Sequence, residues 1–366
     1  MSELHIFSFF SGSGFLDLGF ERAGCVVDYV NEYSDSFQSA YKFARKIIGI
    51  EEPRFGYSKD IKDLLKEDNI QEIQEHVIKV RNEGHLVGFI GGPPCPDFSV
   101  AGKQRGRFGE NGQLSQSYVD MIRIHKPDFF LFENVKGLWR TAKHRAYFEE
   151  LKALLSSDYY LTNRLCNALE YGVPQDRDRI FLFGVRRDLA DKVGLDIERF
   201  NWTSHHSFDL DELKKKNWPT VDTFVCESQK ECPNEIPVAL TAEYWFRLND
   251  VYNHPNAKDY FMPRAGLARM KTIQEGDDSR KSYKRIHRWR YSPTVCYGNN
   301  EVHLHPYKER RLSAAEALAL QSLPSNFCLP SNMSLSDKFK TIGNGVPYLM
   351  AYGVAMTIQD FFDSMN

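Results

Sequence analysis

The stretch Leu86 to Ser99, LVGFIGGPPCPDFS, constrains this chain more than any other. Its first five residues are mostly apolar and run up to a glycine pair, which suits a short buried strand better than a helix. Gly91 and Gly92 then free the backbone. Pro93 and Pro94 fix φ and remove two N–H donors, so no regular element continues through them. Cys95 follows directly, between Pro94 and Pro96. A thiol is therefore expected on a stiff turn at the end of a buried strand, where open α/β sheets bind their ligands. A lone cysteine is ordinarily a small core hydrophobe, but a core position needs no Gly-Gly-Pro-Pro lead-in.

The surrounding chain reads as strand–loop–helix units. Leu4 to Phe10 forms a first buried strand, followed by Ser11-Gly12-Ser13-Gly14 and a helix from Phe15 that stops at Gly24. Glycines there let the backbone approach a ligand, and the helix N-terminus presents its amides. The third glycine of the dinucleotide fingerprint is not in its place, so a plain tight turn is an equal reading. Cys25 to Val30 is a second strand ending in Asn31-Glu32, a carboxylate that holds ribose hydroxyls or simply closes a solvated strand end. Helices are predicted over 34–48, 69–80 and 114–125, and a short strand over 58–61. The loop after Cys95 carries Lys103, Arg105 and Arg107 among four glycines. It is too long and glycine-rich for a connector, and its cations suit phosphates. Asp128 to Phe132 is a fifth strand with Glu133 at its tip, expected beside the thiol strand. Gln175, Arg177 and Arg179 alternate with Asp176 and Asp178; a strand's two-residue period places the amide and both guanidiniums on one face. A solvated salt-bridge ladder is the competing reading.

With 366 residues the chain is long enough for two domains, and 42% apolar residues can fill a large core. The net charge of −2 gives no global sign of nucleic-acid binding, so any basic surface must be local. One segment stands out. Arg264 to Arg311 holds twelve basic residues against five acidic ones, with Tyr283, His287, Trp289, Tyr291 and Tyr297 interleaved, the pattern of a nucleic-acid face. Seven cysteines with no C-x-x-C spacing point to a reducing compartment and away from a zinc knuckle. No apolar stretch reaches membrane-spanning length, and the start of the chain does not read as a signal peptide.

Several ordered motifs together resemble the C5-cytosine-specific DNA methyltransferase family of the bacterial modification type. FSFFSGSGFLDLGFERAG resembles its cofactor loop, GGPPCPDFS its nucleophile loop, and FENVKGL its Glu-Asn-Val motif. PQDRDRIFLFGV resembles its Gln-x-Arg-x-Arg motif, and RRLSAAEALALQSLP with GNGVP its last two. The matches cover roughly 4–190 and 284–366. One position departs: the family usually has glutamine where Pro96 stands, which leaves DNA or RNA open as substrate.

The resemblance implies an α/β fold: a doubly wound mixed sheet of the Rossmann-like S-adenosylmethionine-dependent methyltransferase type, with a smaller, irregular target-recognition domain. The catalytic domain is expected over 1–189 and 325–366, and the recognition domain over 190–324. The implied reaction moves a methyl group from S-adenosylmethionine to C5 of a flipped-out cytosine in double-stranded DNA, leaving S-adenosylhomocysteine. Cys95 would add at C6, Glu133 would serve N3, and Arg177 and Arg179 would bind the O2 side. Phe10, Gly12, Gly14 and Leu16 would shape the cofactor pocket. Glu32 would take the ribose, Asp60 and Ile61 the adenine, and Pro94, Leu114, Asn344 and Val346 the remaining walls. Ser99, Lys103, Arg105 and Gln175 would contact the substrate. A cytoplasmic monomer without metal is expected, with a restriction endonuclease acting separately. An RNA cytosine methyltransferase and a non-catalytic DNA-binding relative are the alternatives.

Overall fold

The computed structural model describes residues 3–94, 110–262, 266–295 and 302–364. At its centre lie β1 (Leu4–Phe9), β2 (Val26–Asn31), β3 (Tyr57–Ser58), β4 (Leu86–Gly91), β5 (Phe129–Val135), β6 (Tyr159–Asn167) and β8 (Asp178–Arg186). They form one sheet in the order β3-β2-β1-β4-β5-β8-β6. The first five run parallel, while β8 is antiparallel to both of its neighbours. The two-residue β7 (Gln175–Asp176) lies outside this sheet and pairs with Ser292–Pro293.

The strands are apolar runs rather than alternating ones because both faces are covered. On one face Leu4, Ile6, Ile90 and Leu131 pack with Leu16 and Phe20 of α1 (Phe15–Arg22), and with Val354, Ile358 and Phe362 near the chain's end. On the other, Phe7, Phe9, Phe89, Phe130 and Phe132 meet three helices: α3 (Glu67–Asn82), α4 (Glu110–His125) and, past α5 (Gly137–Arg140), α6 (Ala142–Leu155). Between β2 and β3 lies α2 (Asp35–Ile48), capped by the Ser34 hydroxyl, which accepts the Phe37 N–H. Each buried phenylalanine or leucine contributes about 1.5–3 kcal/mol, so this double-sided apolar packing fixes the sheet.

The second half is built of short pieces: α7 (Arg187–Val193), α8 (Leu210–Lys215), α9 (Ala242–Leu248) and α10 (Leu267–Thr272). The chain then returns to the sheet through α11 (Ala314–Leu320), α12 (Leu335–Asn344) and α13 (Tyr348–Asp363). Ser313 and Glu316, three residues apart in the sequence, form a capping box at the start of α11. This helix is apolar on two sides. Ala314, Ala317 and Leu318 pack with Phe15 and Leu18, while Ala315, Ala319 and Leu320 pack with Trp245 and Phe246. Phe200 and Trp202 likewise pack with Phe183 and Phe361. The sheet's own core thus reaches at least to Trp202.

Three elements differ from expectation. The third strand ends at Ser58 instead of running over 58–61, because Asn31 Nδ2 donates to Ser58 Oγ and Lys59 O, and Asp60 Oδ1 accepts the Lys62 N–H, turning the chain off the sheet. Glu133 is inside β5, not beyond its tip, since β8 pairs with it as far as Val135. Ser336 to Lys340 reads in the sequence as a short helical turn, but it belongs to the ten-residue α12, whose Phe339 and Ile342 are buried with Phe15 and Phe37.

Candidate active site at the strand ends

The parallel strands all deliver their C-terminal ends to one edge. There the Glu32 carboxylate ties two loops together. Its Oε2 accepts the Gly12 N–H and its Oε1 the Ser34 N–H, both at 2.8 Å. Burial pushes this carboxyl above its ordinary 4.5, and those two N–H donors and Lys340 only oppose it. Each oxygen keeps a lone pair for a further donor.

The loop itself is supported from behind. Gly14 has φ +81°, and a Cβ there would sit 2.2 Å from Arg45 Nη1. Arg45 pairs with Glu21 at 3.0 Å. Asp17, fully buried, accepts from Ser8 Oγ at 2.7 Å and from Tyr41 Oη at 2.9 Å. Asp17 and Arg45 were not read as site residues; the signal was a carboxylate on a helix face that is otherwise apolar. Ser13 Oγ and Thr341 Oγ1 lie 2.8 Å apart, joining this loop to α12 just before Asn344 and Val346. Phe10 adopts φ +55°, uncommon for a non-glycine residue. Its ring stands edge-on to Tyr118 at 6.2 Å.

The other expected cofactor residues divide by burial. Leu16, Ile61 and Val346 are in the apolar core. Asp60, Pro94 and Leu114 are half-buried and Asn344 is exposed.

Glu133 is 7% exposed and lies diagonally across the β5–β8 pairing from Arg179, whose direct partner is Val135. That diagonal is within reach of long side chains, and Arg179 Nε meets Glu133 Oε1 at 2.7 Å. A Cβ on Gly92 would fall 2.5 Å from Glu133 Oε2, so the carboxylate rests against the Gly-Gly-Pro-Pro turn and only glycine fits beneath it. Asn134, also overlooked, donates from Nδ2 to Pro93 O at 3.3 Å and so holds the same turn. Burial raises the Glu133 carboxyl above 4.5, and the nearby Arg179 and Arg177 do not cancel that. Cys95, Ser99, Lys103, Arg105 and Arg107 lie outside the described residues.

Gln175 and Arg177 do not share a strand face with Arg179. β7 ends at Asp176 and β8 begins at Asp178, leaving Arg177 between them. Its Nη2 donates to Gly343 O at 2.7 Å and to Gly345 O at 2.9 Å, and its Nη1 reaches Val295 O at 3.4 Å. Gln175 Nε2 donates to Leu320 O at 3.1 Å while its Oε1 accepts the Val295 N–H. Both side chains are almost wholly buried. They stitch the strand start to the ends of α11 and α12, while Arg179 ion-pairs with the Glu133 carboxylate.

The basic stretch 264–311 is not one exposed face. Arg285, fully buried, donates to the carbonyls of Ile273, Met270, His305 and Lys308. Burial lowers its guanidinium to about 10. Arg288, also buried, forms a fork with Glu275 at 2.7 and 3.0 Å. Arg310 pairs with Glu316 at 2.6 Å. These three cations are internal struts of an irregular segment that has little regular backbone pairing. Arg285→Ala is accordingly expected to destabilise the protein by about 3 kcal/mol or more, because several buried carbonyls lose their donor. Thermal or urea unfolding checks this; an unchanged midpoint with weakened DNA binding would restore the surface reading.

The family model for C-5 cytosine-specific DNA methylase matches residues 4–360. The chain belongs to that family. It is 54% identical to the Type II methyltransferase M.NmeDI of Neisseria meningitidis serogroup C over 361 residues, covering 98% of this chain and 84% of the relative. It is 31% identical to the Type II methyltransferase M.NgoPII of Neisseria gonorrhoeae, covering 97% and 95%. The fold is shared with a protein described as a DNA modification methyltransferase encoded within an E. coli prophage (TM-score 0.65, 22% identity, covering 99% of this chain and all of that one). The S. pombe Dnmt2 methyltransferase shares it too (TM-score 0.59, 12% identity, all of both chains). This DNA methylase is thus of the methyltransferase class that uses S-adenosylmethionine, and no helix among the described residues is long and apolar enough to cross a membrane.

Proposed function

We propose that this methylase transfers a methyl group to C5 of a cytosine within a specific double-stranded DNA sequence, as the modification half of a restriction–modification pair. The observation that carries the site assignment is the buried Glu133–Arg179 pair set against the turn that leads into Cys95.

The residues present fit the cofactor: Glu32 has free lone pairs at the β2 end, and the Gly12–Gly14 loop is held open by Arg45 and Thr341. S-adenosylmethionine, when bound, supplies an electrophilic methyl group. C5 of cytosine is a weak nucleophile, so the Cys95 thiolate adds at C6 and makes C5 enamine-like. Negative charge then develops toward N3. A Glu133 carboxyl kept protonated by burial can meet it with a proton, and Arg179 fixes the carboxyl's orientation. Arg177 and Gln175 act by positioning, through the backbone carbonyls they bind.

Glu32→Ala should weaken S-adenosylmethionine binding by about ten- to a hundredfold, the loss expected for charge-assisted hydrogen bonds of ~1.5–3 kcal/mol. Calorimetry with unchanged affinity would move the ribose contact elsewhere. For the function itself, methyl-labelled cofactor should transfer label to duplex DNA and appear as 5-methylcytosine on nucleoside analysis. Transfer to tRNA in preference to duplex would replace this reading with the RNA one.

A further inference from the structure

At the opposite end of the sheet, far from the strand ends just described, three potential metal ligands meet. Glu3, His5 and His85 each offer one ligand atom, and these atoms lie within 4.8 Å of one another. The topology puts them there. Leu4 is the register partner of Leu86, so Glu3 and His85 are neighbours one residue further out. Glu3 and His5 share a face at the two-residue period. The two imidazole centroids are 4.5 Å apart.

We propose that these three side chains bind a divalent transition-metal cation of the zinc type. Three features of His5 favour it. It is 6% exposed. Its Nε2 is buried without a hydrogen-bond partner, 3.7 Å from Glu3 Oε2. Its Nδ1 lies 2.6 Å from Asp28 Oδ2, the outer carboxylate that typically orients a metal-binding histidine and leaves its other nitrogen basic. Asp28 reaches this position because the β1–β2 register skips it, between the pairs Ile6–Val27 and Phe7–Tyr29; such a bulge re-aims a side chain. Arg54 Nη2 donates to the same Asp28 oxygen at 3.0 Å. His85 Nδ1 is likewise buried and unpartnered.

Two nitrogens and one carboxylate oxygen suit zinc, with a water completing four ligands. Bonds of about 2.0 Å set tetrahedral edges near ~3.3 Å, so the cluster must tighten. Glu3 is exposed and can swing inward. The bound ion would clamp the outer ends of β1 and β4, leaving the active-site edge untouched.

The test uses the full-length protein, stripped with chelator and titrated calorimetrically with zinc chloride alone. One equivalent is expected to bind and to raise the melting temperature. His85→Ala and the surface change Glu3→Gln should each lower affinity at least tenfold without altering the fold by circular dichroism. Asp28→Asn should lower it about 10- to 100-fold. No binding by the parent protein, or equal binding by parent, His85→Ala and Glu3→Gln, would overturn the proposal.

Discussion

Cys95→Ser is expected to lose methyl transfer by on the order of 10⁴-fold or more while cofactor and duplex still bind within about twofold of the parent. A serine hydroxyl is scarcely ionised near neutral pH, so addition to C6 stalls, whereas nothing in ligand binding depends on the thiolate. Two buried cysteines of the sheet domain's core do not substitute. Burial pushes the Cys25 and Cys166 thiols up to about 12, so neither offers a thiolate near neutral pH. Filter binding and single-turnover label transfer separate the two effects. A serine variant that turns over like the parent would remove Cys95 from the mechanism.

The second large effect concerns Glu133→Gln. Glutamine preserves the size and can still face Arg179, but it cannot deliver a proton, so a loss of about 10²- to 10⁴-fold in turnover is expected. The pH profile adds an independent reading. The Glu133 carboxyl is raised above 4.5 by burial, and the proposed chemistry uses its protonated form. Activity limited by this group therefore holds at low pH and declines as pH rises through the raised value. The thiolate requirement acts in the opposite direction, giving a bell. In Glu133→Gln the descending limb assigned to the carboxyl should disappear from the residual activity. Retention of that limb would assign it to another group.

Much of the sheet was legible because its strands are apolar runs closed by glycine, proline or a polar residue, as in LVGFIGG and FFLFENV. The strand-end location of Glu32 and of the Gly-Gly-Pro-Pro turn followed from that pattern alone, whereas Glu133 lies inside β5 because β8 pairs on as far as Val135. What was hidden is pairing at a distance. Arg177 finds its acceptors 166 and 168 residues away, and Gln175 at 145, so a local period of two could not show that both are spoken for. The same limit explains Arg285 and Arg288. Twelve basic residues in one segment look like a surface, yet an irregular segment with short strands has many backbone carbonyls to satisfy, and buried guanidiniums do so. The β1–β2 bulge that turns Asp28 toward His5 leaves no mark in the sequence.

Covalent catalysis from Cys95, with Glu133 serving N3, is tested most directly by incubating the protein with S-adenosylmethionine and a duplex carrying 5-fluorocytosine at the methylated position. Fluorine at C5 cannot leave as a proton does, so the adduct should persist. Peptide mapping by mass spectrometry is predicted to find the nucleotide on Cys95, dependent on the cofactor and absent from Cys95→Ser. Methylation without any trapped adduct, or an adduct on another cysteine such as the exposed Cys226, would contradict the mechanism.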